Sequence, residues 1–159
     1  MRIEAAVIAL EACLFGCRTE LPLSTTDQDR LTVAERQWAS RGFTNYSIDL
    51  IHICSCPPSF RDRARIEVMG GTVQRVTLLG SLAVITDSRK QRYRTVEEVF
   101  QEIRDANGQE SLKRVTFSLD PILGIPTYVH WAAKSATPEL ELIIEMSNPQ
   151  PLLTPPLPR

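Results

Sequence analysis

The chain is poor in the groups that most enzymes of its size rely on. It has two histidines, and it contains no Gly-x-Ser-x-Gly elbow, no phosphate-cradling glycine loop and no His-Glu-x-x-His zinc helix. A hydrolase needs a nucleophile, a base and an orienting acid brought together. Here His130 falls on the strand face opposite Val129 and Trp131, while Asp49 and Asp120 fall at a strand surface and a turn. Catalysis is therefore not expected, nor is a cofactor or a resident metal. Excess charge is lacking too. Eighteen Lys and Arg against nineteen Asp and Glu leave a net charge of -1, without the strongly basic face that nucleic acid requires. Arg61, Arg63 and Arg65, and again Arg89, Lys90, Arg92 and Arg94, make two local basic clusters beside predicted loops, read as solvated loop charge. No apolar run reaches the ~20 residues that span a bilayer.

What the chain does have is apolar material for one core, with 43% hydrophobic residues in a length of 159. Met1-Arg2, the apolar Ala5 to Leu10, and Leu14-Phe15-Gly16-Cys17 follow the layout of a bacterial lipoprotein signal, in which Cys17 becomes the acylated first residue. Glu4 and Glu11 interrupt that pattern, and Phe15 is large for its place. The alternative is an N-terminal helix of a cytoplasmic protein with Cys17 a buried thiol. Export is favoured because Thr19 to Thr26 is polar and irregular, like the tether after such a signal. The expected division is a leader over 1–17, a tether over 18–26, one domain over 27–147 and a proline-rich tail over 148–159.

Within the domain, Leu31, Ala34 and Trp38 recur at helical spacing between Asp27 and Arg41, with a Thr32–Glu35 capping-box pattern and Gly42 as a stop. From Tyr46 the period changes to two. Tyr46, Ile48 and Leu50 face inward, Ser47 and Asp49 outward, and His52, Cys54 and Cys56 continue the inward row. A hairpin turns at Gly70-Gly71, where one residue bulged at Gly71, at positive φ, would pair Ile66 with Val76 and Ala64 with Leu78. Gly80 to Tyr93 shows no period and is expected to be a surface connection. Thr95 with Glu98 caps a second helix striped by Val96, Val99, Phe100 and Ile103 and closed by Gly108. Strands follow through Val115, Phe117 and Leu119, through Ile125 to Trp131 after the Asp120 to Gly124 turn, and from Leu140 to Met146. The tail carries Pro149, Pro151, Pro155, Pro156 and Pro158 and should be extended or disordered, a proline-recognition ligand being the less favoured alternative. The fold class is α+β, with a single antiparallel sheet of about six strands and two helices on one face. Helix plus three strands occurs twice, suggesting a duplicated unit.

These residues resemble a family, the short bacterial lipoproteins carrying domain of unknown function 6174. The resemblance is carried by Trp38, Tyr46-Ser47, Cys54-Ser55-Cys56-Pro57, Gly70-Gly71, Thr95 to Phe100, and Asp120-Pro121 through Gly124 to Thr127, across roughly Leu31 to Met146. It implies an exported, lipid-anchored or periplasmic domain and supplies no reaction.

Cys54 and Cys56 are the one cysteine pair inside the expected domain. In an oxidising compartment they suggest a disulfide, yet residues two apart in a straight strand lie ~6.6 Å apart with parallel side chains. A bond therefore requires a kink at Ser55. The alternatives are two reduced thiols packed as small apolar groups, or metal or redox work. His52 with Cys54 and Cys56 is the sharpest metal-ligand set, but it spans ~13 Å of strand whereas zinc needs its ligands within ~2.3 Å of one point. A partly buried, hydrogen-bonded His52 is the simpler reading. The leading expectation is a non-catalytic envelope domain that binds an unknown protein or envelope component, touching the membrane only through a lipid on Cys17. It would use the exposed sheet face or the loops from Pro57 to Arg65. A thiol-redox or soft-metal protein acting through Cys54 and Cys56 is the alternative from another class. An envelope enzyme inhibitor is a third, by analogy of fold alone.

Overall fold

The computed structural model of the chain describes residues 22–86, 88–134 and 141–152. The leader, Cys17, the start of the tether, Leu140 and positions 153–159 lie outside those residues. Helix α1 (Thr25–Ala39) is capped by Ser24, whose hydroxyl accepts from the Asp27 amide, and begins at Thr25, two residues earlier than the period predicts. The expected Thr32–Glu35 box does not form. Thr32 lies well inside the helix and donates to the Gln28 carbonyl, and Glu35 pairs with Arg104 of the second helix. That helix, α2 (Val96–Asp105), does open on its box: Thr95 Oγ1 accepts from Glu98 N at 3.1 Å, and Glu98 Oε2 accepts from Thr95 N at 2.8 Å. The same four-residue pattern caps one helix and not the other because Ser24 and Asp27 supply a cap upstream in α1.

The strands are β1 (Asn45–Cys54), β2 (Ala64–Met69), β3 (Thr72–Leu78), β4 (Val84–Ile85), β5 (Leu112–Leu119), β6 (Pro126–Ala133) and β7 (Leu142–Pro151). They form one antiparallel sheet in the order β4-β3-β2-β1-β7-β6-β5. The α+β single sheet is as expected, but among the described residues it has seven strands where about six were expected. The added one is β4, inside the supposed connection, where pairing with Val76 and Thr77 makes a strand of two residues too few to show a period.

Helix plus strands does occur twice in chain order, but the two sets are not placed equivalently. β1 leads its set from the centre of the sheet, and β5 leads the other from an edge. Three strands displaced sideways in an all-antiparallel sheet run in the reverse direction. No rotation reverses strand direction while keeping both strand order and the helix-covered face.

At Gly70-Gly71 the expected partners meet, Ile66 with Val76 and Ala64 with Leu78. The bulge lies elsewhere than expected. Both glycines take positive φ, +58° and +75°, in a plain two-residue turn joining Met69 to Thr72, and the extra residue is Gln74, between Val73 and Arg75. The displacement turns Val73 and Val76 to the same side, so both pack against the core.

Inward rows from the strands, including Tyr46, Ile48, Leu50, Ile66, Val129 and Ile144, join the stripes of both helices in a single core. Trp38 and Phe100 are buried within it, as expected. Gly124, at φ +79°, closes the β5–β6 turn directly against α1, where a Cβ would lie 2.4 Å from the Ala34 carbonyl oxygen. Only glycine fits that approach.

Both domain edges extend past the expected ones. Leu23, assigned to the tether, is buried; its amide donates to Asn107 Oδ1 at 2.8 Å, and Val115 N donates to the Pro22 carbonyl. At the other end β7 runs through Pro151, beyond the boundary at 147, with Gln150 opposite Ser47 and Pro151 opposite Tyr46. Asn148, at φ +57°, and Pro149 together oppose Ile48, a bulge that tolerates a residue without an N–H.

Candidate functional site

Strand β1 is paired on both sides, by β2 and β7, so its side chains are held at either end of the molecule's centre line. At the Cys54 end the strand stops, and the chain bends through Ser55 and Cys56 into a short 3-10 turn at Pro58–Phe60. The Cα atoms of Cys54 and Cys56 are 5.1 Å apart, below the straight-strand spacing, and their sulfurs lie at disulfide distance. The kink at Ser55 is what brings them together. Joined so, the two sulfurs present no thiolate. Among the described residues no three His, Cys, Asp or Glu side chains converge on a point that could hold a metal.

His52 precedes the pair on the same row and is buried. Its ring lies 5.3 Å from that of Tyr93, and it shares a cavity lining with Phe60, from the loop after β1, and Arg92, from the segment before α2. Burial first, then the positive charge of Arg94 and, less, of Arg92, pushes the imidazole down from 6.5 to about 4, so it is neutral at neutral pH.

Two arginines from that segment complete a cavity of about 220 Å³ beside the disulfide, with Phe60 and Leu142 as apolar walls. Arg92 lies over the Phe60 ring, 4.4 Å from its centroid, a cation–π contact. Arg94 is tied down by Glu102 and by the Gln91 carbonyl. The basic cluster read as solvated loop charge is thus partly built into the fold, and Lys90 also reaches the Gln74 carbonyl. No period marks this in the sequence: Arg92 ends a 3-10 helix (Ser88–Arg92), and Tyr93 and Arg94 lie in the irregular link before the capping Thr95.

The other basic cluster is likewise engaged. Arg65 grips Asp49 through two hydrogen bonds of 2.7 and 3.0 Å, Asn148 adds a third contact at 3.3 Å, and Arg63 reaches Ser147 Oγ. Asp49, expected at the surface, is buried under this pair, as is Ser47. Asp120 is the turn residue expected, its Oδ1 accepting from the amides of Ile122 and Leu123. His130 is half-buried and not exposed as expected. Its Nε2 finds no hydrogen bond among the described residues and lies 3.8 Å from Glu141. His52, His130, Asp49 and Asp120 are not brought to a common point.

At the Tyr46 end of β1 a second, larger cavity of about 370 Å³ opens between Trp38, Phe43, Glu97 and Phe100. Glu97 there accepts from Trp38 Nε1 and from Tyr46 Oη, each at 2.7 Å, and Tyr46 Oη in turn accepts from Val96 N at 3.0 Å. Burial and then the Glu97 carboxylate push the Tyr46 phenol far up, so it remains protonated. The site residue that sequence reasoning missed at this end is Glu97, which carries no periodicity because it lies on the outer side of its helix.

Residues 30–151 match the family of unknown function DUF6174. No curated protein and no solved structure matches the chain.

Proposed function

We propose that this chain, which belongs to the DUF6174 family, is an exported, lipid-anchored, non-catalytic domain of a bacterial cell envelope. It binds a protein or another envelope component through the rim around Cys54 and Cys56 and the loop from Pro57 to Arg65. The observation that carries the reading is the Cys54–Cys56 pair at disulfide distance. Such pairs persist outside the cytoplasm and are reduced by thiol pools within it. The lipoprotein-like leader ending at Cys17 supports the same compartment. That no three His, Cys, Asp or Glu side chains gather among the described residues favours binding over catalysis.

Intact mass of the protein from its native host tests the first half. Residues 1–16 should be gone, Cys17 should carry lipid, and two hydrogens should be missing as a closed disulfide requires. A full-length, unacylated chain with free thiols would overturn the reading. The second half predicts a specific adduct when photo-crosslinkers at Arg61 or Ser59 are activated in intact envelopes, absent when the crosslinker is moved to Glu110.

One observation favours a second reading, thiol–disulfide exchange. Arg92 and Arg94 beside the sulfurs would lower the pKa of a thiol released there. An external thiolate would attack one sulfur, forming a mixed disulfide and expelling the other as thiolate. Cysteines of ordinary pKa in the reduced chain would remove this alternative.

A further inference from the structure

We propose that the cavity beside the Cys54–Cys56 disulfide binds a small organic carboxylate with an apolar body, its acid group held by Arg92. The inference rests on the binding function above and names the ligand class of the same rim. Three features of the cavity carry it. Among the described residues none that lines it is acidic, while Arg92 and Arg94 are both positive. Arg92 has no carboxylate partner among the described residues, and its guanidinium, 4.4 Å from the Phe60 centroid, carries a planar fork of N–H donors. That fork geometry matches a carboxylate through paired hydrogen bonds. The remaining walls are Phe60, the two sulfurs and Leu142, which suit an apolar body and offer it few hydrogen bonds.

Charge balance chooses carboxylate over phosphate. The Arg94 charge is already met by Glu102, so one guanidinium is left to compensate one negative charge. A phosphate dianion would keep a second charge without a partner at a half-enclosed site. Size narrows the class further. At about 220 Å³ the space is below the ~300–1,000 Å³ of drug-sized pockets, which excludes a nucleotide and admits a single ring or short chain.

Amide NMR titration of the oxidised chain with benzoate, inorganic phosphate and neutral benzamide, at low salt, tests this. Benzoate should shift the amides of His52, Cys54 and Leu142 saturably. Benzamide should not, and phosphate should bind more weakly than benzoate. Arg92→Gln should weaken benzoate at least about tenfold, and Arg92→Lys, which keeps the charge but not the fork, should weaken it by less. Both variants should keep the wild-type spectrum elsewhere, since Arg92 is exposed. No saturable shift with benzoate, equal binding of benzamide, tighter binding of phosphate, or unchanged affinity in Arg92→Gln would each overturn the proposal. The envelope reading fails separately. A cytoplasmic chain that binds benzoate would sink that reading alone, and an anchored chain blind to benzoate would sink this one alone.

Discussion

The two ends of strand β1 are built from similar parts and put to different use. At the Tyr46 end an aromatic hydroxyl and an indole N–H converge on one carboxylate, Glu97, and every polar atom of the trio has a partner. At the Cys54 end an imidazole shares a cavity with two guanidinium groups and the strand runs out into a kinked loop, leaving positive charge at the rim without an internal acid for Arg92 among the described residues. A satisfied network rigidifies. An unbalanced one, beside a cavity, has interaction energy left for something else. The contrast places stability at one end and binding at the other, and it can be broken by measurement.

The largest effect should come from the closed end. Trp38→Ala removes an indole that packs edge-on against Phe43 and Tyr46, and denaturant unfolding should show a loss of about 3–5 kcal/mol. Next is the acid response of the open end. The imidazole of His52 stays neutral in the folded chain down to about pH 4 but takes up its proton near 6.5 when unfolded. Protonation therefore favours unfolding. The stability present above pH 6.5 should drain away as pH falls toward 4, by about 3 kcal/mol in full. Unfolding curves of His52→Gln should lack that share of the acid slope. If the slope is unchanged, the imidazole is not held neutral.

A smaller loss is expected for Glu97→Ala, about 1–3 kcal/mol, because two donors lose an acceptor beside a cavity that admits water. Smallest is Arg92→Gln, within about 0.5 kcal/mol in thermal or denaturant melts. A large loss in Arg92→Gln would mean that the open end is structural after all, and the contrast between the ends would collapse.

How far each end was legible from residues alone differs for a physical reason. Tyr46, Ile48 and Leu50, the stripe Val96 to Ile103 and the Thr95–Glu98 box depend on spacing within one segment. Such spacing survives as periodicity. Ile66 meeting Val76 was legible for the same reason, since a single tight turn joins the two strands. The position of the bulge was not, because Gly71 and Gln74 both satisfy that pairing and only the turn geometry separates them. Asp49 and Ser47 looked outward by parity, and they do lie on the outer face. Both are nonetheless buried, Asp49 by Arg65 and by Asn148, a residue 99 positions away. Likewise Arg92 reads as loop charge until Phe60 is placed under it.

The alternation of side chains by itself determined that this chain forms one antiparallel sheet roofed by two amphipathic helices, because each such element must bury its apolar row and the rows could do so only against one another. It also determined which side of β1 carries His52 and Cys54, whereas Cys56 lies past the strand end in the bend. Tertiary structure alone decided that β7 closes on β1 and runs through Pro151, that Val84–Ile85 is a strand, and that two arginines line a cavity beside the disulfide. Those outcomes depend on contacts between residues far apart in the chain, where hydrogen bonding and charge neutralisation are settled by whichever partner the fold delivers and leave no period in the sequence.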